Sequence, residues 1–198
     1  MGPRQKIITT ALWAALVLVM VGVVVGELYR PRRQTLPILF PAATFSLIDQ
    51  MNKPFSDRDL SGHPYIATFI FTNCAGSCPV VTAEMSKLQH QTPSGVELVS
   101  FSVDPQRDTP AVLEQYARNY QADESRWHFL TGTSEQMFRA AADMKLTAKA
   151  AQGDQPILHS DHLLLVDGNG DVRGIYDSKD DGSIKQLAID ASQLAGSR

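Results

Sequence analysis

Cysteine is nearly absent from this chain: 198 residues hold two, Cys74 and Cys78. With no third thiol, the two can bridge each other within the chain or serve as reactive or metal-binding sulfurs. Positive charge is not in excess either. Eighteen Lys and Arg stand against 21 Asp and Glu, a net charge of −3, so no basic field draws the chain to nucleic acid. No internal repeat and no long low-complexity segment is present, which excludes a solenoid or a biased, structureless chain. No Ala-x-Ala site follows the apolar run near the N-terminus, which argues against a cleaved signal peptide. What is there is an ordinary globular composition, 43% hydrophobic and 20% charged, with a length that suits one domain plus a tail.

The tail is Ile7 to Val25, 19 residues without a charge and rich in Leu and Val. At helical rise this nearly crosses a hydrocarbon core, so residues 1–29 are expected to be a retained transmembrane helix. Arg4 and Lys6 lie before the run, and Arg30, Arg32 and Arg33 after it, so the positive-inside rule gives no orientation. Pro31, Pro37 and Pro41 predict an extended tether over 30–43. The folded domain is expected over 44–198.

Within that domain, strands alternate with helices. Thr44 to Asp49 alternates like a short strand, followed by a turn through Gln50 to Lys53 and a polar, loop-like stretch from Ser56 to Gly62. Tyr65 to Phe71 is an uncharged, β-branched and aromatic run with the length of a buried strand. Val96 to Val103 is a second strong strand. It leads to Thr109, a good N-cap, and Pro110, which suits the first position of a helix to Tyr120. Trp127 to Leu130 predicts a strand and Ser134 to Met144 a helix, with Ser134 as its cap. Leu146 to Leu158 reads as irregular. Asp167-Gly168-Asn169-Gly170 joins Leu163–Val166 to Val172–Tyr176 as a hairpin, and Ile184 to Leu194 closes the chain as an amphipathic helix. The pattern predicts an α/β fold, a central mixed sheet covered by helices.

The cysteines sit where strand passes to helix. Pro79 suits the first helical position, and Val80, Val81, Met85 and Leu88 are expected to share an apolar side through Gln89. Cys74 then lies in the loop and Cys78 at the head of the helix, where unpaired N–H groups and the dipole favour a thiolate. This is the thioredoxin arrangement with one residue more than C-x-x-C. A structural disulfide, a redox pair and a soft-metal site all remain open on spacing alone.

Three motifs together are more specific. Phe71-Thr72-Asn73-Cys74-x-x-x-Cys78-Pro79, Ser102-Val103-Asp104-Pro105-x-Arg107-Asp108-Thr109-Pro110, and His159 eight residues before Asp167 resemble the SCO/SenC family. Members are membrane-anchored, thioredoxin-like copper proteins that help to assemble cytochrome c oxidase. The resemblance runs from about Thr44 to the final helix. It implies copper ligation by Cys74, Cys78 and His159. It also implies three partners: the copper-site subunit of cytochrome c oxidase, a copper donor protein, and the membrane. The domain is then expected outside the cytoplasm, in the periplasm in preference to the mitochondrial intermembrane space.

Two thiolates and an imidazole suit Cu(I), and the imidazole also tolerates Cu(II), whereas structural zinc prefers four ligands. The function expected is a metallochaperone rather than an enzyme, delivering copper to the dinuclear copper site of the oxidase. A thiol-disulfide oxidoreductase that reduces the cysteines of that site, a redox or copper sensor, and a thioredoxin-superfamily peroxidase are the alternatives. His162 reads as the start of a strand, with replacement of His159 as ligand the alternative, and Met85 reads as core. His63, His90 and His128 read as surface or satisfied histidines. Asp104, Arg107 and Asp108 read as a turn-stabilising charge cluster. The acidic run Asp177 to Asp181 reads as a solvated face or a docking patch.

Overall fold

The computed structural model of the chain describes residues 2, 13, 15–22, 35–74, 76, 78–146, 148–149, 158–159 and 161–196; for 148, 149, 158 and 159 it describes the backbone. The chain divides into two compact units, 1–35 and 36–198. In the first, residue 13 and residues 15–22 are helical and exposed. The expected anchor lies for the most part outside the described residues, and among those described no helix is long and apolar enough to cross a membrane.

The second unit is built on an eight-stranded sheet. In chain order its strands are β1 (Phe40–Pro41), β2 (Ser46–Asp49), β3 (Pro54–Ser56), β4 (Tyr65–Ile70), β5 (Glu97–Ser102), β6 (Trp127–Thr131), β9 (His162–Val166) and β10 (Asp171–Asp177). A separate two-stranded pair, β7 (Ala148–Lys149) with β8 (Leu158–His159), precedes β9 in the chain. The spatial order is β1-β10-β9-β4-β5-β6-β2-β3. β4, β5 and β6 run parallel at the centre, and every other neighbour pairs antiparallel. The helices are α1 (Cys78–Gln91), α2 (Pro110–Asn119), α3 (Ser134–Asp143) and α4 (Asp181–Ala195).

The parallel centre explains why the Tyr65–Phe71 run shows no polar alternation. Every residue of β4 is buried. Ala67 and Phe69 enter one core with Phe101, Leu164 and Met137 of α3. Ile66 and Ile70 enter the other with Leu98, Trp127, Phe129, Met85 of α1 and Leu187 of α4. Successive side chains point to opposite faces, and helices cover both, so an apolar residue is favoured at each position.

Several local expectations shift. The tether predicted over 30–43 is held to the domain from Leu36: Leu39 N donates to Val172 O at 2.8 Å and Ala42 N to Gly170 O at 2.8 Å. The polar stretch from Ser56 forms the end of edge strand β3 and a 3-10 turn, Asp57–Leu60, closed by a reciprocal Ser56–Asp59 cap. Helix α3 is capped by Thr133 rather than Ser134, because Gln136 lies three residues on from Thr133 and completes a capping box. Val80 is 47% exposed; the buried stripe of α1 is Cys78, Val81, Thr82, Met85, Leu88 and Gln89, which follows the three- and four-residue helical spacing that Val80 misses. The acidic run 177–181 keeps its expected solvated face, with Asp177, Asp180 and Asp181 exposed, and it also makes local bonds: Asp177 accepts Lys179 N and Asp180 caps α4 through Gly182 N and Ser183 N.

Strand β2 pairs with β6 only at Ile48 and Asp49. Beyond that point the side chain of buried Gln50 takes the place of a strand. Its amide donates to Trp127 O at 3.0 Å and accepts from Phe129 N at 2.8 Å. Gln50→Ala leaves both buried backbone groups unmatched and should lower the unfolding free energy by about 2–4 kcal/mol. Urea denaturation at unchanged slope measures this. A loss under about 0.5 kcal/mol would mean that water replaces the amide.

Candidate metal centre

Both cysteines lie at the C-terminal end of β4. Cys74 is half-buried in the loop and Cys78 is buried as the first residue of α1. Gly76 N donates to Cys74 Sγ at 3.4 Å, so the short loop folds back on the first sulfur. Cys78 has no exposed surface and packs in the core that holds Met85, Leu88 and Trp127. Burial pushes its thiol well above the usual cysteine range; a backbone hydrogen bond at Phe71 opposes this, while the adjacent Cys74 side chain and the Asp161 charge push the same way as burial.

This reverses the expectation that the helix terminus favours a thiolate at Cys78. A helix dipole contributes about 0.3–1 kcal/mol, whereas removing a charged group from water costs up to about 4–7 kcal/mol at full burial. In this conformation, Cys78 keeps its proton at neutral pH.

The loop is braced by residues from two other segments. Asp108 has no exposed surface, yet its carboxylate accepts Thr72 N at 3.1 Å, Thr72 Oγ1 at 2.5 Å and Ser102 Oγ at 2.5 Å. Burial pushes the Asp108 carboxyl upward, while the bonds from Ser102 and Thr72 act in the opposite direction. Asp108 is therefore not part of a charge cluster with Arg107. Arg107 pairs with Asp104 at 2.9 Å on the outside of the turn, and Asp108 turns inward to tie the loop after β5 to the residue two before Cys74. Thr82 Oγ1 donates to Cys78 O at 2.8 Å and meets Tyr116 Oη at 2.9 Å. Because the single Thr82 proton is used on Cys78 O, Tyr116 is the donor in the second bond. Thr82 lies one helical turn after Cys78 and was open to inspection; nothing in the local sequence marks Tyr116, 34 residues further on.

His159 falls in β8, in register with Ala148 of β7; its side chain lies outside the described residues. His162 begins β9 with an exposed side chain, and Met85 is fully buried core. His128 lies 3.5 Å from Glu97 beneath the Phe55 ring, away from the cysteines along β6. Among the described residues no three metal-binding side chains meet. The donors described at the site are two sulfurs, a soft pair that fits a soft, low-coordinate metal ion.

The architecture so far defines a class: a mixed α/β domain with a two-cysteine loop between its central strand and the helix that follows. Residues 40–194 match the SCO1/SenC family model, and the chain belongs to that family. A SCO1 protein homolog of Bacillus subtilis is 34% identical over 145 residues, covering 71% of this chain and 75% of that protein. The solved structure of BsSco, described as a member of the Sco family of cytochrome c oxidase assembly proteins with a disulfide switch, superimposes with a TM-score of 0.72. It is 31% identical and covers 82% of this chain and 98% of its own. Copper-bound ScoI of Bradyrhizobium japonicum gives a TM-score of 0.66 at 25% identity, covering 78% of this chain and 99% of its own.

The two thiols differ in access, and that difference is measurable. In the reduced, metal-free protein at pH 7.5, iodoacetamide should modify Cys74 at least about tenfold faster than Cys78, because the thiolate is the nucleophile. Asp108→Ala should lower stability by about 2–3 kcal/mol and narrow the gap in rates by releasing Thr72. Equal rates in the unaltered protein would show that burial does not control Cys78.

Proposed function

We propose that this chain is a membrane-anchored copper-binding protein of cytochrome c oxidase assembly, with a thioredoxin-like domain that takes copper on Cys74, Cys78 and His159 and delivers it to the dinuclear copper site of the oxidase. The observation that carries the reading is the convergence of the only two cysteines at the C-terminal end of the central strand. Membership of the SCO1/SenC family and the copper-bound ScoI relative support it.

Copper is the cargo. Cys74, at the accessible end of the loop, is the sulfur that an incoming or outgoing ligand exchange meets first. Cys78 completes the pair from the head of α1 and gives up its proton as it binds. The Asp108 clamp on Thr72 fixes the N-terminal stem of the loop, and the Tyr116–Thr82–Cys78 chain fixes the first turn of α1. The span between them is left short, with Gly76 in it. His159 supplies the imidazole that suits Cu(II).

A second reading shares the same atoms. An accessible thiol beside a buried one is also the arrangement of a dithiol reductant. Cys74 attacks a substrate disulfide, Cys78 displaces the mixed disulfide, and two electrons and two protons pass to the substrate while Cys74–Cys78 forms. BsSco, with its disulfide switch, supports a reversible pair. The same sulfurs cannot be in a disulfide and bind copper, so the redox state gates loading.

Anaerobic loading of the full chain with Cu(I) and Cu(II), followed by absorption and EPR, tests the assignment. One equivalent should bind, and Cys74→Ala or Cys78→Ala should abolish tight binding of both ions. His159→Ala should weaken Cu(II) more than Cu(I), because two thiolates can hold Cu(I) alone. Apparent Cu(I) affinity should rise with pH between pH 6 and 8, because the raised Cys78 thiol must release its proton on binding. Equal copper affinity with the disulfide intact would sink the ligand assignment. Fast turnover of disulfide substrates with weak copper binding would favour the reductase.

For placement, protease added to spheroplasts should remove the domain, and alkaline carbonate should leave the chain in the membrane. Protection from the protease or extraction by carbonate would contradict a periplasmic domain or an anchor, respectively.

A further inference from the structure

Tyr65 opens strand β4 at the end opposite the cysteines, and there the surface holds a cleft of about 290 Å³ that copper chemistry does not use. Three segments wall it: residues 41–44, the 3-10 turn at 57–61, and the β9–β10 turn at 167–171. Backbone bonds lock them together. Ala42 N donates to Gly170 O and Gly62 N to Gly168 O, each at 2.8 Å, and Phe45 N donates to Asp57 Oδ1 at 3.1 Å. Gly168 lies so close to Gly62 that a Cβ there would stand 2.7 Å from the Gly62 carbonyl carbon. The cleft is thus preformed rather than closed by a moving loop.

Tyr65 is only 3% exposed and lines this cleft. Its hydroxyl makes no hydrogen bond to the described residues and is not among the enclosed polar atoms, so the cleft is where it meets solvent. Burial, and then the charges of Asp57 and Asp167, hold its proton in place. The hydroxyl is therefore neutral, sits in a negative field and has oxygen lone pairs to offer. The lining carries Asp57, Asp167 and Asp171 with the guanidinium of Arg58, and a second guanidinium, Arg173, is bound to Asp167, which leaves the acids one charge in excess.

That field calls for a cation, and two observations decide its kind. Both oxygens of Asp167 are committed, Oδ1 to Asn169 N and Asp171 N and Oδ2 to Arg173 at 2.6 Å. A hard metal ion wants six or more oxygens, and here it would meet a guanidinium already on the central carboxylate. The volume also exceeds that of a bare ion and approaches small-ligand size, with Pro41 and Leu60 as apolar wall beside the acids. We propose that this cleft binds a protonated primary amine, its ammonium group donating to the Tyr65 hydroxyl and to the Asp57 and Asp171 carboxylates while its carbon chain lies on the apolar wall. The amine is either a free alkylamine or the lysine side chain of a partner protein.

The test is titration of the ¹⁵N-labelled full chain in detergent with putrescine, Nα-acetyl-lysine methylamide, 1,4-butanediol and calcium chloride, followed by amide shifts. Either amine should give saturable shifts at Ser61, Asn169 and Gly170, and 1,4-butanediol none. Tyr65→Phe and Asp57→Asn should each weaken amine binding at least about fivefold, the loss of one hydrogen bond to a charged group. Asp171→Asn, at the start of β10, keeps the test valid if a buried change disturbs folding. Tighter binding of putrescine assigns a free amine, and tighter binding of the lysine derivative assigns a partner's side chain. No saturable shift, equal binding of butanediol, tighter binding of calcium at the same amides, or unchanged affinity in all three variants would overturn the proposal.

Discussion

Strand β4 has water on neither side. Its backbone must pair within the sheet, in parallel with β5 and antiparallel with β9. Its side chains must be covered alternately by α3 on one face and by α1 and α4 on the other. A strand so enclosed reaches solvent only at its two ends, and both ends carry polar features: the cysteine loop after Ile70 and the acidic cleft at Tyr65. The position of each follows from the enclosure between them, because a titratable group inside an apolar interior costs free energy unless, like Asp108, it is hydrogen-bonded there.

The cysteine end is a contest between two electrostatic effects of unequal size. A helix terminus attracts negative charge, but weakly and only within its first turn. The hydrophobic packing around Cys78 opposes charge by several-fold more. The outcome is a thiol held protonated by the same core that fixes the helix. A soft ion taken up by both sulfurs would have to displace that proton. Asp108 shows the same economy. A buried carboxylate is tolerated because three donors surround it, and removing one would leave its charge less well compensated.

The segment that leads into the sheet has a different logic. Residues from Leu36 onward lie along β10, with Arg173 donating to Leu36 O and Leu39 pairing with Val172. The last residues before the domain thus share a strand and an arginine with the hairpin turn that forms the cleft.

Much of the fold was legible in the sequence because its signals are local. The uncharged Tyr65–Phe71 run, the Thr109-Pro110 cap and the Asp167–Gly170 turn each depend on residues adjacent in the chain, and each matches an observed element. The motif pair around Cys74 and Asp108 marked the family for the same reason. Only the tertiary structure decided what depends on distance. Burial of Cys78, and with it the direction of its proton affinity, comes from the apolar core that α1, α2 and α4 form on one face of the sheet. The partners of Asp108 lie 36 residues back at Thr72, and Gln50 completes a strand 77 residues away. Tyr65 reads as one more apolar residue of a strand until folding leaves its hydroxyl in a cleft walled by carboxylates. Sequence determines which groups are present and which local shapes they prefer. Desolvation and long-range hydrogen bonding, which set their chemistry, exist only once the chain has closed on itself.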